Sequence, residues 1–281
     1  QGIVQILPAV SAYVGSDIIA DLLVADFDSE EWKLLIDIGT NGEIVLGNKN
    51  RILSCSTAAG PAFEGANITY GTAGVPGAIS RFGISREKQF LYETIGSKKA
   101  VGICGSGLID IVAEMLEHNI LTSDGAFNEE IEKELKDKLT TYKNIRALRI
   151  IDKDTAGVDS HILLTQKDVR ELQLAKGAIA AGINILIKEA GIDYRDIKNI
   201  YLAGGFGSFI DSRNACKIGL LPVNMEKKII KIGNGAGTGA KAYLFDKKQR
   251  KKVEALLDRI EYLELSLFKD FQDEFMASMN F

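Results

Sequence analysis

The stretch Leu34-Leu-Ile-Asp-Ile-Gly-Thr-Asn-Gly-Glu-Ile-Val-Leu-Gly47 constrains the fold more than any other part of this chain. Two apolar, β-branched runs meet at a bend made of Gly39, Thr40, Asn41 and Gly42, and the only charges in the stretch are Asp37 and Glu43. The pattern predicts a buried strand over Leu34 to Ile38 and its hairpin partner over Glu43 to Leu46. The bend has two readings. Glycines let backbone N–H groups approach a phosphate without a Cβ in the way, Thr40 and Asn41 add donors, and Asp37 at the strand end can hold a Mg²⁺-bound water. An ordinary β-hairpin uses the same Gly and Asn residues in its turn.

Length and composition narrow the class. With 281 residues and 46% hydrophobic content, the chain is long and apolar enough for a large domain core. A net charge of −4, a sequence pI near 5.5 and no aromatic-studded basic stripe give no electrostatic footprint for nucleic acid. No apolar run approaches the ~20 residues a membrane span needs, and no signal-peptide pattern opens the chain, so a cytoplasmic protein is expected. Cys55, Cys104 and Cys216 stand singly, which excludes CxxC pairs and the four thiolates of an iron–sulfur cluster. They are expected as small buried hydrophobes. His118 and His161 have no second ligand at metal spacing and receive no role. The chain opens on Gln1 rather than Met and is expected to be part of something longer.

Along the chain, Asp17 to Val24 is predicted as a helix with Ile18, Ile19, Leu22 and Leu23 on one face, preceded by Gly15-Ser16 as break and cap. Arg51 to Thr57 adds a third strand to the hairpin. Ala58-Ala-Gly-Pro-Ala-Phe-Glu-Gly65 is small-residue loop carrying one acid, Glu64. Its small side chains suit either close approach to a ligand or tight packing. Short strands are expected at Ile79 to Phe82 and Phe90 to Ile95. Gly102-Ile-Cys-Gly-Ser-Gly107 opens a helix, Leu108 to Leu116, as an anion site or as a plain N-cap. Residues 124–161 are charged and weakly patterned, with an amphipathic helix expected over Glu129 to Leu139, and read as an insertion outside the core. Thr165-Gln-Lys-Asp168 caps a long helix that Gly191 stops. Two strand–glycine–helix units follow: Ile197 to Leu202 with Ala203-Gly-Gly-Phe-Gly207, then Ile229 to Ile232 with Gly233-Asn-Gly-Ala-Gly-Thr-Gly-Ala240 and a helix from Ala240. That is the βα pattern of a sheet that binds ligands at its strand ends. Lys247 to Phe281 is expected to be helical, its basic start a solvated face.

The order of these signals resembles the second lobe of the actin, sugar-kinase and heat-shock-chaperone ATPase superfamily, over nearly the whole chain. Pro8 to Gly15 looks like part of the connect-1 motif, Asp37 to Glu43 like phosphate-2, Leu202 to Gly207 like the adenosine motif and Gly233 to Ala240 like connect-2; phosphate-1 has no counterpart. The wording of Asp37-Ile-Gly-Thr-Asn-Gly-Glu-Ile-Val-Leu46, Thr57-Ala-Ala-Gly-Pro-Ala-Phe-Glu-Gly65, Gly102-Ile-Cys-Gly-Ser-Gly-Leu-Ile-Asp110 and Leu202-Ala-Gly-Gly-Phe-Gly207 resembles the C-terminal domain of the reductive activators of corrinoid proteins.

The resemblance implies an α/β fold: an RNase H-like, actin-like ATPase lobe with a mixed sheet, flanking helices, a helical insertion and C-terminal helices. It divides the lobe into a connect-1 region (1–33), a phosphate-2 meander (34–100), the insertion (124–161), an adenosine and connect-2 region (165–245) and terminal helices (246–281). It implies ATP and Mg²⁺ as ligands and a corrinoid protein as partner, returned from Co(II) to Co(I) for methyl transfer. An N-terminal lobe and a [2Fe–2S] domain would lie elsewhere in the longer protein, and a homodimer is expected. Asp37 would hold Mg²⁺ through water; Gly39, Thr40, Asn41 and Gly42 would meet phosphates; Gly204, Gly205, Phe206, Gly207, Gly233, Asn234 and Gly235 would line the nucleotide; and Glu43 or Glu64 would orient a water. Two other functions fit the same residues: a docking or dimerisation module, and a small-molecule kinase whose base lies in the other lobe.

Overall fold

The computed structural model describes residues 6–281, so the apolar opening at residues 1–5 lies outside it. In chain order the first elements are α1 (Ser16–Val24), β1 (Trp32–Ile38), β2 (Gly42–Gly47), β3 (Ile52–Thr57), β4 (Ala78–Ile84), β5 (Phe90–Thr94) and β6 (Gly102–Ile103). Then come α2 (Gly105–Glu117), α3 (Lys133–Lys136), β7 (Leu139–Tyr142), β8 (Ile145–Ile151), β9 (Ile162–Thr165) and the long α4 (Gln166–Ala190). The last are β10 (Ile197–Ala203), the single turn α5 (Gly204–Gly207), α6 (Ser212–Lys217), β11 (Ile229–Gly233), α7 (Gly235–Phe245), α8 (Lys247–Leu257), β12 (Ile260–Tyr262) and α9 (Phe271–Ser278). The fold divides into two compact units. One takes the chain up to Ala58, with Ile179–Ser208 and Met225–Glu274; the other takes Ala59–Ala178, Phe209–Asn224 and Phe275–Phe281.

The first unit is built on a six-stranded sheet in the order β11-β10-β1-β2-β3-β12. The predicted meander β1-β2-β3 is antiparallel, while β10 and β11 join β1 in parallel. A parallel neighbour needs a crossover, which the long α4 and the turn-and-helix stretch before β11 supply. One sheet face carries Leu35, Val45, Ile52 and Tyr201 into a core with Ile18 and Leu22 of α1 and Leu256 of α8. The helix α1 begins one residue earlier than expected, and its N-cap is Gly15 without a side-chain bond, so Ser16 does not act as the cap. The C-terminal stretch is not wholly helical: β12 lies parallel to β3, pairing Ile260 with Ile52 and Tyr262 with Ser54. Three residues are too few to show a strand period. Of the basic run, Lys247, Lys248 and Lys251 are exposed as expected, while Lys252 pairs with Asp28 at 2.8 Å.

The second unit holds two three-stranded sheets, β5-β4-β6 and β7-β8-β9. The segment read as an insertion with a helix over Glu129 to Leu139 instead forms one helical turn, α3, followed by β7 and β8. Leu148, Ile150 and Ile151 of β8 are buried, so this segment contributes core. The glycine run before α2 is not an open anion cradle. Gly105, Ser106 and Gly107 already lie inside the buried helix, and the Ser106 hydroxyl donates to Ser80 O at 3.0 Å. The expected cap on α4 forms as a closed box: Thr165 N and Oγ1 donate to Asp168 Oδ2, each at 2.8 Å, and Asp168 N donates to Thr165 Oγ1 at 3.2 Å. Gly191, with φ +67°, follows the end of the helix as expected. All three cysteines are buried.

Candidate functional site

The strand register places Gly233, Ala203, Asp37, Glu43 and Ser56 side by side in one row across five strands. Residues two apart on a strand share a face, so Asp37, Glu43 and Ala203 continue the face whose inner positions are Leu35, Val45 and Tyr201. The row is therefore the polar rim of that apolar core. It lies at the carboxyl ends of the parallel strands β1, β10 and β11, where open α/β sheets bind ligands. Within it the Ser56 hydroxyl donates to Glu43 Oε1 at 3.2 Å.

Above the rim, α1 brings Asp21 toward Asp37. Asp21 is 0% exposed, and among the described residues its carboxyl oxygens have no hydrogen-bond partner beyond the Asp37 carboxyl. Burial first, and then the charge of Asp37, push the Asp21 carboxyl up to about 8. Burial likewise raises Asp37. Glu43 rises to about 7, again by burial, with the charges of Asp37 and Asp17 adding to it and the Ser56 bond opposing it.

Each of the two opposed carboxylates faces a glycine. A Cβ on Gly204 would stand 2.3 Å from Asp37 Oδ1, and one on Gly235 would stand 2.2 Å from Asp21 Oδ1. Gly204 also has φ +85°, which a side chain would strain. A buried carboxyl whose one partner is a second carboxyl suits a hydrated cation between or beside them. No set of three or more His, Cys, Asp or Glu side chains gathers at a metal-binding spacing among the described residues. Two carboxylates with water and phosphate completing the shell is how Mg²⁺ is ordinarily held.

The sequence-predicted residues distribute as follows. Gly39 N donates to Asn41 O at 2.9 Å, closing the turn that leaves Thr40 and Asn41 exposed at its tip. Gly42 is buried, and a Cβ there would lie 2.8 Å from Ile179 Cγ1, so its lack of a side chain serves packing against α4. Gly204, Gly205, Phe206 and Gly207 form the one-turn helix α5, in which Gly205 is exposed with open space beside it. The helix after Gly233 begins at Gly235 rather than Ala240, and the Asn234 side chain is its N-cap, accepting from Gly237 N at 2.7 Å. Asn234 thus has a structural duty at the place assigned to a ligand contact. Glu64 belongs to the second unit, exposed on the turn Pro61–Glu64. Sequence reasoning missed Asp21 and Ser56. Asp21 was detectable as an acid flanked by the apolar positions Ile18, Ile19 and Leu22 of an amphipathic helix; Ser56 only through the register.

The raised carboxyls carry a consequence for stability. A group whose folded-state pKa lies above its unfolded value of about 4 stabilises fully below that value and loses the contribution as pH rises through the folded pKa. For Glu43 and Asp21 the loss therefore runs from the ordinary carboxylate range to about 7 and about 8. In metal-free buffer, stability is expected to fall by about 1 kcal/mol per pH unit for each of the two groups while both are in their window. Denaturant melts at stepped pH measure it, and Asp21→Asn should flatten the slope; an unchanged slope in that variant would refute the account.

Residues 31–281 match the family described as the C-terminal domain of RACo, the ASKHA domain. The chain belongs to this family. The mixed α/β architecture expected from sequence is thus borne out for this ASKHA domain. It is 36% identical over 285 residues to the corrinoid activation enzyme RamQ of Eubacterium limosum, covering 100% of this chain and 48% of RamQ. It is 28% identical over 298 residues to the [Co(II) methylated amine-specific corrinoid protein] reductase of Methanosarcina barkeri, covering 98% of this chain and 51% of that protein. Among solved structures, a reductive activator for corrinoid, iron–sulfur protein superposes with a TM-score of 0.89 at 36% identity, covering 99% of this chain and 44% of the other. The ASKHA domain here spans about half the length of the curated relatives it matches. No helix among the described residues is long and apolar enough to cross a membrane.

Proposed function

We propose that this ASKHA domain supplies one side of a Mg-ATP site in a reductive activator that returns corrinoid proteins from Co(II) to the Co(I) state used in methyl transfer. The observation that carries the reading is the rim row with Asp21 above Asp37: a buried carboxyl whose one partner is the second carboxyl opposite, and a glycine clearing each. The names of the relatives supply the reaction class. Asp37 and Asp21 would hold the hydrated cation, which when bound neutralises phosphate charge. The turn Gly39, Thr40 and Asn41 presents backbone and side-chain donors to phosphate oxygens. Gly204, Gly205, Phe206 and Gly207, with Gly233, Asn234 and Gly235, form the adenosine side. Of the two acids, Glu43 takes the water-orienting role, because the register seats it beside Asp37 and the Ser56 hydroxyl fixes one of its oxygens.

Little covalent chemistry falls to these residues; positioning and charge stabilisation do the work. ATP would bias closure of the longer protein on its corrinoid partner, with electrons from a [2Fe–2S] domain outside this chain. Moving such a contact from mostly open to mostly closed needs a differential affinity of about 5.5 kcal/mol. Calorimetric titration of Mg-ATP into this chain and into the full-length protein tests the reading. The full-length protein is expected to bind, and Asp21→Asn in it to weaken binding; absence of binding to the full-length protein would overturn the proposal.

A further inference from the structure

The second unit carries a cleft that the nucleotide reading does not use. It has a volume of about 700 Å³ and is walled by the β4–β5 hairpin on one side and by α2 and the start of α6 on the other. By the β4–β5 register Arg81, Leu91 and Glu93 share one face of the hairpin and Phe82, Phe90 and Tyr92 the other, so the charge of the cleft comes from Arg81 and Glu93 with Asp110 and Asp211 across from them.

Two properties of the walls say what would enter. The first is electrostatic. Arg81 lies 3.7 Å from Asp110 and 3.8 Å from Asp211, and the β4–β5 register sets Glu93 directly opposite it. One guanidinium thus serves three carboxylates, and it stands too far from either aspartate for a hydrogen bond. Asp110 is fixed, 2% exposed and held by Asn214 Nδ2 at 2.7 Å and Phe82 N at 3.3 Å.

The second property is the backbone. β5 is the outer strand of its sheet, and among the described residues no strand lies on its other side. Leu91 is 58% exposed and Tyr92 40% exposed along that edge. An open edge with apolar side chains is a template for strand addition, which proteins otherwise shorten, charge or cover.

We propose that this cleft docks an extended segment of a partner protein, whose backbone continues the sheet along β5 and whose arginine or lysine side chain enters the carboxylate-rich face of the hairpin beside Glu93. The acids select the positive side chain, and the free edge selects a peptide over a small cation. The proposal is independent of the nucleotide site.

The test titrates the intact chain with three probes: a short capped peptide alternating threonine and arginine, the same peptide with glutamate replacing arginine, and N-acetylarginine amide. Backbone NMR shifts and amide exchange are the readout. The arginine peptide is expected to slow exchange along residues 90–94 and shift signals around Arg81 and Asp110, and high salt should weaken it. Glu93→Lys, on the exposed strand, should weaken it about tenfold, or about 1.4 kcal/mol. Were that variant misfolded, the salt titration on the unaltered chain would still decide. Equal binding of the glutamate peptide, an equal response to N-acetylarginine amide, shifts confined to other surfaces, or no binding at millimolar peptide would each overturn the proposal.

Discussion

Asp37→Asn is expected to lower ATP-dependent corrinoid activation by the full-length protein about 100-fold or more while leaving the fold intact and raising its stability at neutral pH. The loss follows from the role: a preorganised charge aimed at phosphate and cation typically contributes two to three orders of magnitude in rate. The gain follows from the environment. In the ligand-free protein burial raises the Asp37 carboxyl, with the Asp21 hydrogen bond opposing that rise. A neutral amide in its place removes a half-buried charge that the fold disfavours. An isosteric amide fills the same space, so no cavity opens. Opposite signs in the two measurements, activation rate and thermal melting temperature, mark a functional charge held against the preference of the fold. Unchanged activation would remove Asp37 from the site; a large drop in melting temperature would make it a structural residue.

How much of this was readable without coordinates depended on the range of the interactions involved. The hairpin and its third strand follow from local patterning, and the register that aligns Asp37 with Glu43 follows once the turn Gly39–Gly42 is fixed. The Thr165–Asp168 box and the Gly191 stop are equally local. What escaped depends on partners far along the chain. β12 is three residues recruited by β3 from about two hundred positions away. β7 and β8 looked like a polar insertion because Leu148, Ile150 and Ile151 acquire a core only with their own sheet. The run from Gly233 looked like loop because glycine disfavours helix, yet Gly235 and Gly239 are buried inside α7. The site divides the same way: Asp37, Glu43 and Gly204 belong to motifs, whereas Asp21 and Ser56 gain meaning from a packed helix and a paired strand.

That packed helix carries the second large effect. Gly239→Ala is expected to destabilise the protein by about 2 kcal/mol, although alanine is the better helix former by about 1 kcal/mol. A Cβ on Gly239 would sit 1.9 Å from Ala20 O and 2.5 Å from Ala20 C, both backbone atoms that no rotamer can move. Relief requires α1 and α7 to separate, and overpacking of this kind in a buried contact costs about 3 kcal/mol, so the clash outweighs the propensity gain. Gly235→Ala, one turn earlier, meets instead the end of the Asp21 side chain at 2.2 Å. A side chain can swing aside, so Gly235→Ala should leave stability within about 1 kcal/mol of the parent while moving Asp21 off its position near Asp37. Denaturant melts and Mg-ATP titration of the two full-length variants separate the cases: Gly239→Ala lowers stability first, whereas Gly235→Ala weakens Mg-ATP in a folded protein. Equal stability loss in both would mean that the glycines serve helix packing alone and that the position of Asp21 has no bearing on the nucleotide.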